Sequence, residues 1–147
     1  MAKAWLSLGA NIGDPAAQLA EAVRRIGAAD EVTVTQQSKV IITKPWGKTD
    51  QPDFANMALE VETALEPLRL LDLLQAIETA MGRVRHETWG PRVIDIDIVA
   101  YERQVLETER LTLPHPFAHE RAFVLDPLAE IAPETAAWLV GRTAGPA

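Results

Sequence analysis

The sequence contains no cysteine. That excludes disulfides, thiolate metal centres and a cysteine nucleophile, and it suits the reducing cytoplasm, which is the expected compartment. Serine is almost as scarce. Ser7 and Ser38 are the only two, both in runs that read as strands, and neither has the surroundings of a triad hydrolase. No apolar run is long enough to span a bilayer, and the short apolar stretch at the N-terminus is too brief for a signal peptide, so no membrane partner is expected. Positive charge is also in deficit: 14 Lys and Arg stand against 21 Asp and Glu, a net charge of −7. An acidic chain is poorly suited to nucleic acid, and none is expected as a partner. Neither the Gly-x-Gly-x-x-Gly fingerprint nor the Gly-Lys-Ser/Thr ending of a phosphate loop occurs, so the glycines at 9 and 13 read as a structural turn.

What is present is ordinary globular material. Of 147 residues, 48% are hydrophobic and 24% charged, enough for one core without staples. Residues 1–147 are expected to form a single domain, and a monomer if that domain holds its whole site. The arginines are uneven. Arg83, Arg85, Arg92, Arg110 and Arg121 fall in one stretch, which would make a local anion site on an acidic body if they converge.

The chain reads as alternating elements. Residues 3–8 suggest a strand ended by Gly9. Asp14 and Pro15 open a helix as N-cap and first residue, with Leu19, Ala22, Val23 and Ile26 at helical spacing. Residues 31–43 are rich in Val, Ile and Thr and read as one strand. The stretch 45–52 is a loop. Residues 54–63 alternate, with Ala55, Met57, Leu59 and Val61 on an apolar face and Phe54, Asn56, Ala58, Glu60 and Glu62 on a polar one. Pro67 opens a second helix with a stripe of Leu70, Leu71, Leu74, Ile77 and Met81, closed by Gly82. Residues 93–101 are a strand with Ile94, Ile96, Ile98 and Ala100 on one face. A further strand within 107–113 and helices over 119–128 and after Pro133 complete the chain. The order strand, helix, strand, strand, helix, strand is the βαββαβ pattern of an α+β ferredoxin-like fold: a mainly antiparallel sheet with helices packed on one face.

Asp95-Ile96-Asp97 is the sharpest local feature. Aspartate is rare in strands, and a separation of two sets both carboxylates on one face, about 7 Å apart. Such a pair suits hard cations such as Mg²⁺ that also take phosphate oxygens. An amphipathic strand with an acidic outer face accounts for Asp-x-Asp alone equally well. Arg92 follows a Gly-Pro turn just before this strand; it is either one side of a polyphosphate site or, the better reading taken alone, part of a salt-bridged surface turn. Arg83 and Arg85 follow the second helix, where cations are favoured in any case. Gln75 and Glu78, three apart on that helix, are nucleotide hydrogen-bond partners or ordinary surface residues. His115 is stiffened by Pro114 and Pro116. Phe54 beside Asn56 offers a ring to stack on a flat heterocycle and an amide to read its edge, or simply a partly buried pair.

Taken singly these signals are moderate, but their order along the chain is specific. LGANIGD at 8–14, TKPWG at 43–47, QPDFAN at 51–56, Gln75 with Glu78, GRVR at 82–85, WGPRVIDID at 89–97, LPHP at 113–116 and RAFVL at 121–125 together resemble the 6-hydroxymethyl-7,8-dihydropterin pyrophosphokinases of folate synthesis. The resemblance runs from about residue 6 to residue 133. It implies an α+β ferredoxin-like core, ATP as diphosphate donor, two Mg²⁺ ions, a reduced pterin acceptor and AMP as leaving group. It assigns Asp95 and Asp97 to the metals and Arg83 and Arg92 to catalysis. Around the nucleotide it sets Gln75, Glu78, Arg85, Trp89, Arg92, Ile98, Arg110, Thr112, His115 and Arg121. The pterin pocket would comprise Thr43, Trp46, Phe54, Asn56, Trp89, Asp95 and Phe123, with the ring between Phe54 and Phe123. The chain departs from the family at Phe54, a position often taken by tyrosine, at Ala10, where serine is common, in the short loop formed by His86, Glu87 and Thr88, and at Pro116 and Phe117 beside the nucleotide. Two other classes compete. A ferredoxin-like binding module would explain the fold and the arginines but not the paired aspartates. An RNA-binding domain of this topology would want a basic surface.

Overall fold

The computed structural model describes residues 1–43, 53–82 and 94–143. Strand β1 (Ala2–Ala10) leads to helix α1 (Pro15–Ala28), then strands β2 (Val32–Gln37), β3 (Ile41–Thr43) and β4 (Phe54–Thr63). Helix α2 (Pro67–Ala80), strand β5 (Asp95–Tyr101) and a hairpin of β6 (Leu106–Glu107) and β7 (Thr112–Leu113) follow, and then a 3₁₀ turn (Ala118–Glu120) and helices α3 (Ala122–Ile131) and α4 (Pro133–Thr143). The main sheet runs β2-β4-β1-β5, with β3 also on β4, and every pairing is antiparallel. β1 lies between β4 and β5, and β4 lies between β1 and β2, so each crossover helix spans one intervening strand. This is the expected βαββαβ core.

Local chemistry explains the ends. The Asp14 side chain accepts from the Ala17 amide at 3.2 Å, with Pro15 at the first helical position, a combination that satisfies an N-terminal donor and presets φ. Gly82 ends α2 with φ +94°, a conformation that glycine alone adopts freely. Leu6, Leu8, Leu59, Leu70 and Leu74 are fully buried where α1 and α2 meet one face of the sheet. Each contributes about 1.5–3 kcal/mol by leaving water.

Besides turning the expected strand within 107–113 into the β6–β7 hairpin, the structure differs from the sequence reading in four ways. First, β1 runs through Gly9 to Ala10, because Gly9 is paired on both sides, with Asn56 of β4 and Asp95 of β5. Second, the 31–43 run is two strands. Ser38 separates them, its amide donating to Ala58 O at 2.9 Å while its hydroxyl accepts from the Ala58 amide at 2.8 Å. Third, Ala100 does not share the face of Ile94, Ile96 and Ile98. The register with β1 shifts between Trp5 and Leu6, which face Ala100 and Ile98, so Val99 is the extra residue of a bulge. Val99 and Ala100 therefore both join the opposite face, and Tyr101 returns to the first core.

Fourth, the sheet is covered on both faces. Helices α3 and α4 pack on the outer one through Val124, Leu128, Ala136 and Leu139 against Trp5, Ala58, Val99 and Ala100. The middle of the polar face of β4, from Asn56 to Glu60, is thus buried. Glu60, 5% exposed, accepts from Trp5 Nε1 at 3.1 Å, Thr35 Oγ1 at 2.8 Å and Gln36 Nε2 at 3.3 Å. Burial alone would push this carboxyl up, but the three donors and Lys3 outweigh it and hold the group below the usual carboxylate range.

Candidate active site

Among the described residues β5 is an edge strand, and its side away from β1 is met by side chains and loops. Glu78, nine-tenths buried on α2, accepts from the Ile96 amide at 2.7 Å. The His115 amide donates to Val99 O at 2.8 Å. Between these two points α2, β5 and the β6–β7 hairpin enclose a cleft of about 360 Å³. Gln75, Glu78, Asp97, Ile98, Arg110, Thr112 and His115 all line it. Six of these seven were expected round a nucleotide, and the seventh, Asp97, at a metal. Leu71, Ile96, Leu111 and Pro116 supply apolar wall, the mix of apolar surface with a few convergent polar groups that small ligands favour.

The rim is braced across the hairpin. Arg110 Nη2 lies 2.6 Å from Asp72 Oδ1 and 3.1 Å from Gln75 Oε1, joining the hairpin tip to α2. Thr108 and Leu111 close that tip through an amide–carbonyl bond of 2.9 Å. His115 is neutral near pH 7, because burial and then the Arg121 charge push its pKa down to about 4. Its Nδ1 accepts from the Phe117 amide at 3.2 Å.

A second feature lies on the outer face of the sheet. Strand register sets Asn56, Gly9 and Asp95 in a row across β4, β1 and β5, with Ala58, Ser7 and Asp97 in the next row. Residues directly opposite share a face, so Asn56 and both aspartates are on one face, about 10 Å apart across two strand spacings. Phe54 is on the same face, two residues before Asn56. Asn56 is buried, and its Nδ2 donates to Thr43 Oγ1 at 2.7 Å. Phe123, on α3, packs against the outer core. The ring of Phe123 also has the Arg121 guanidinium 5.8 Å from its centroid. Asp95 is half-buried, whereas Asp97 is exposed and reaches the cleft as well. The aspartates thus stand between the cleft on one side and the Asn56–Phe54 region on the other.

A family model described as 7,8-dihydro-6-hydroxymethylpterin-pyrophosphokinase matches residues 5–133. The chain belongs to that family. It is therefore an enzyme, a pyrophosphokinase of folate synthesis. It is similar to the 2-amino-4-hydroxy-6-hydroxymethyldihydropteridine pyrophosphokinase of Methylorubrum extorquens, at 54% identity over 91% of this chain and 85% of the relative. The protein of the same name from Bacillus subtilis is 48% identical over 87% and 77%. Among solved structures, the Plasmodium falciparum HPPK-DHPS chain crystallised with pteroate superposes with a TM-score of 0.70 at 16% identity, over 90% of this chain. This chain spans 39% of that longer one, and at such low identity the likeness bears on the fold alone.

Several residues named from the sequence, Trp46, Arg83, Arg85, Trp89 and Arg92, lie outside the described residues, as do the whole loop at 45–52 and the stretch 83–93. Arg121 does not line the cleft but stands beside it, next to Phe117 and Phe123. Glu78 is not the surface residue that its helical spacing favoured; it is buried against β5. Two residues escaped attention. Gly9 was read as a turn, yet a Cβ there would lie 3.0 Å from Asn56 Oδ1. Asp72 gave no signal beyond an acidic residue three before Gln75. Among the described residues no group of three or more His, Cys, Asp or Glu assembles a metal cage. Mg²⁺ does not ask for one: it commonly takes one or two carboxylates and fills its remaining positions with water and substrate phosphates. The Asp95–Asp97 pair, with Asp97 exposed at the cleft, fits that donor set.

Proposed function

We propose that this enzyme transfers diphosphate from ATP to the hydroxymethyl group of 6-hydroxymethyl-7,8-dihydropterin and releases AMP. The observation that carries the reading is the position of Asp95 and Asp97, between a cleft of nucleotide size and a face bearing Phe54 and Asn56. The cleft takes ATP, with Gln75, Glu78, Ile98, Arg110, Thr112 and His115 around it and Arg121 beside it. The pterin ring stacks between Phe54 and Phe123, Asn56 and Thr43 read its edge, and Trp46 and Trp89 complete the pocket.

In the reaction the acceptor oxygen bonds to the β-phosphorus, the bond from that phosphorus to the α-phosphate oxygen breaks, and the hydroxyl proton is lost. The protein's task is positioning and charge stabilisation. Asp95 and Asp97 would hold two Mg²⁺ ions, which when bound neutralise phosphate charge and make the acceptor hydroxyl more acidic. Neutral His115 donates a hydrogen bond to a phosphate oxygen. Arg83 and Arg92 act on the charge that develops during transfer, and Arg85 binds the nucleotide. The enzyme works as a cytoplasmic monomer whose single domain carries the whole site.

The test is to incubate the protein with ATP, Mg²⁺ and the reduced pterin alcohol and to separate the nucleotides. AMP formed in equal amount to pterin diphosphate, without ADP, is the expected result. ADP as product would contradict diphosphate transfer, and no turnover would favour a binding module.

A further inference from the structure

Phe117 is an anomaly on the surface. It is a large aromatic side chain, half exposed, that belongs to neither hydrophobic core. Among the described residues its amide and its ring meet two others, His115 and Arg121, while its carbonyl accepts from the Glu120 amide at 3.0 Å. The Phe117 amide donates to His115 Nδ1 at 3.2 Å. Its ring meets the His115 ring edge-on, with centroids 6.3 Å apart at 66°. The same ring lies 5.5 Å from the Arg121 guanidinium carbon, whose other near ring is Phe123 at 5.8 Å.

We infer that Phe117 is a positioning residue: its amide fixes the His115 ring with Nε2 as the protonated, donating nitrogen, and its ring with that of Phe123 fixes the Arg121 guanidinium beside the nucleotide cleft. The inference rests on the nucleotide role proposed for His115 and Arg121. The logic for His115 is geometric. A backbone N–H aimed at Nδ1 requires a lone pair there, so the ring proton resides on Nε2. His115 lines the cleft, and its second nitrogen is then a donor matched to a phosphate oxygen. The lowered pKa of the ring agrees with this neutral form.

The logic for Arg121 concerns freedom. Its backbone is already fixed, since its amide donates to Ala118 O at 3.2 Å and its carbonyl accepts from Val124 and Leu125 at 2.9 Å. The long side chain would still sample many rotamers. An aromatic face attracts a guanidinium through the ring quadrupole, and two rings limit where it can go. Ordering the side chain before the ligand arrives removes a cost that binding would otherwise carry. Phe117 thus acts on both residues at once, and it does not itself line the cleft.

The experiment has two arms. The first reads the His115 ring by ¹⁵N NMR in the ligand-free protein at pH 7.5. An Nε2-protonated pattern is expected, and an Nδ1-protonated or averaged pattern would overturn the geometric claim whatever the nucleotide does. The second measures steady-state kinetics and melting temperature for Phe117→Ala, Phe117→Leu and Phe117→Tyr. Leucine keeps apolar bulk without the quadrupole, and tyrosine restores the ring. The Ala and Leu variants should raise KM for ATP by about fivefold, with KM for the pterin alcohol and the melting temperature unchanged, and Tyr should restore the ATP value. Unchanged KM for ATP in both Ala and Leu variants, or an equal change in KM for both substrates, would overturn the positioning role. His115→Ala and Arg121→Ala serve as controls. If these too leave ATP binding intact, it is the nucleotide assignment that fails rather than the link through Phe117.

Discussion

At the scale of single residues, the lane between Asn56 and Asp95 depends on a missing side chain. Gly9 is paired to both, and a methyl group at that position would crowd Asn56 Oδ1 at 3.0 Å. Asn56 cannot yield freely, because its Nδ2 is engaged by Thr43 at 2.7 Å. Gly9→Ala should therefore raise KM for the pterin alcohol by about tenfold, equivalent to about 1.4 kcal/mol, and leave KM for ATP unchanged. Steady-state kinetics with each substrate varied in turn would check this, and equal effects on both substrates would contradict it. Neither the closeness of Gly9 to Asn56 nor the burial of Glu78 could be read from the sequence. Both depend on strand register and on which side of a helix meets the sheet edge, and those are fixed only once three strands are paired. The Asp95–Asp97 pair could be read, because a separation of two in a strand fixes a common face regardless of partners.

At the scale of elements, β5 shows how an edge strand is made into a site. Among the described residues it has one strand neighbour, β1, and on its other side the Ile96 amide is taken by Glu78 at 2.7 Å. Glu78→Ala should leave that donor without an acceptor at a buried position, a loss of about 1–3 kcal/mol. Glu78→Gln keeps a carbonyl oxygen and should lose much less. Urea denaturation of the two variants would check the difference, and an alanine variant as stable as the wild type would contradict the edge-capping role. The helices α1 and α2 were legible from the spacing of Leu19, Ala22 and Ile26 and of Leu70, Leu74 and Ile77. The second helical layer over the sheet was not. The outer face of β4 carries Asn56 and Glu60, which look solvated in sequence, and the donors on Trp5, Thr35 and Gln36, with Lys3 nearby, make burial of Glu60 tolerable. The bulge at Val99 was equally invisible, since an isoleucine and valine run gives no hint of where the alternation slips.

At the scale of the molecule, an acidic protein of net charge −7 binds a polyanion by local arrangement rather than by overall field. Arg110 at the hairpin rim, Arg121 between two rings and neutral His115 concentrate donors on one side of β5. The carboxylates of Asp95 and Asp97 sit where that side meets the Phe54 and Asn56 face. The central claim is that two substrates meet at this strand, one from each side. The most direct measurement is a crystal structure of the protein with a non-hydrolysable ATP analogue, Mg²⁺ and the pterin alcohol. The account predicts the triphosphate in the cleft beside Thr112 and His115, the ring between Phe54 and Phe123, and the hydroxymethyl oxygen facing the β-phosphorus next to Asp95 and Asp97. A nucleotide bound away from that cleft, or a pterin ring bound away from Asn56, would contradict it.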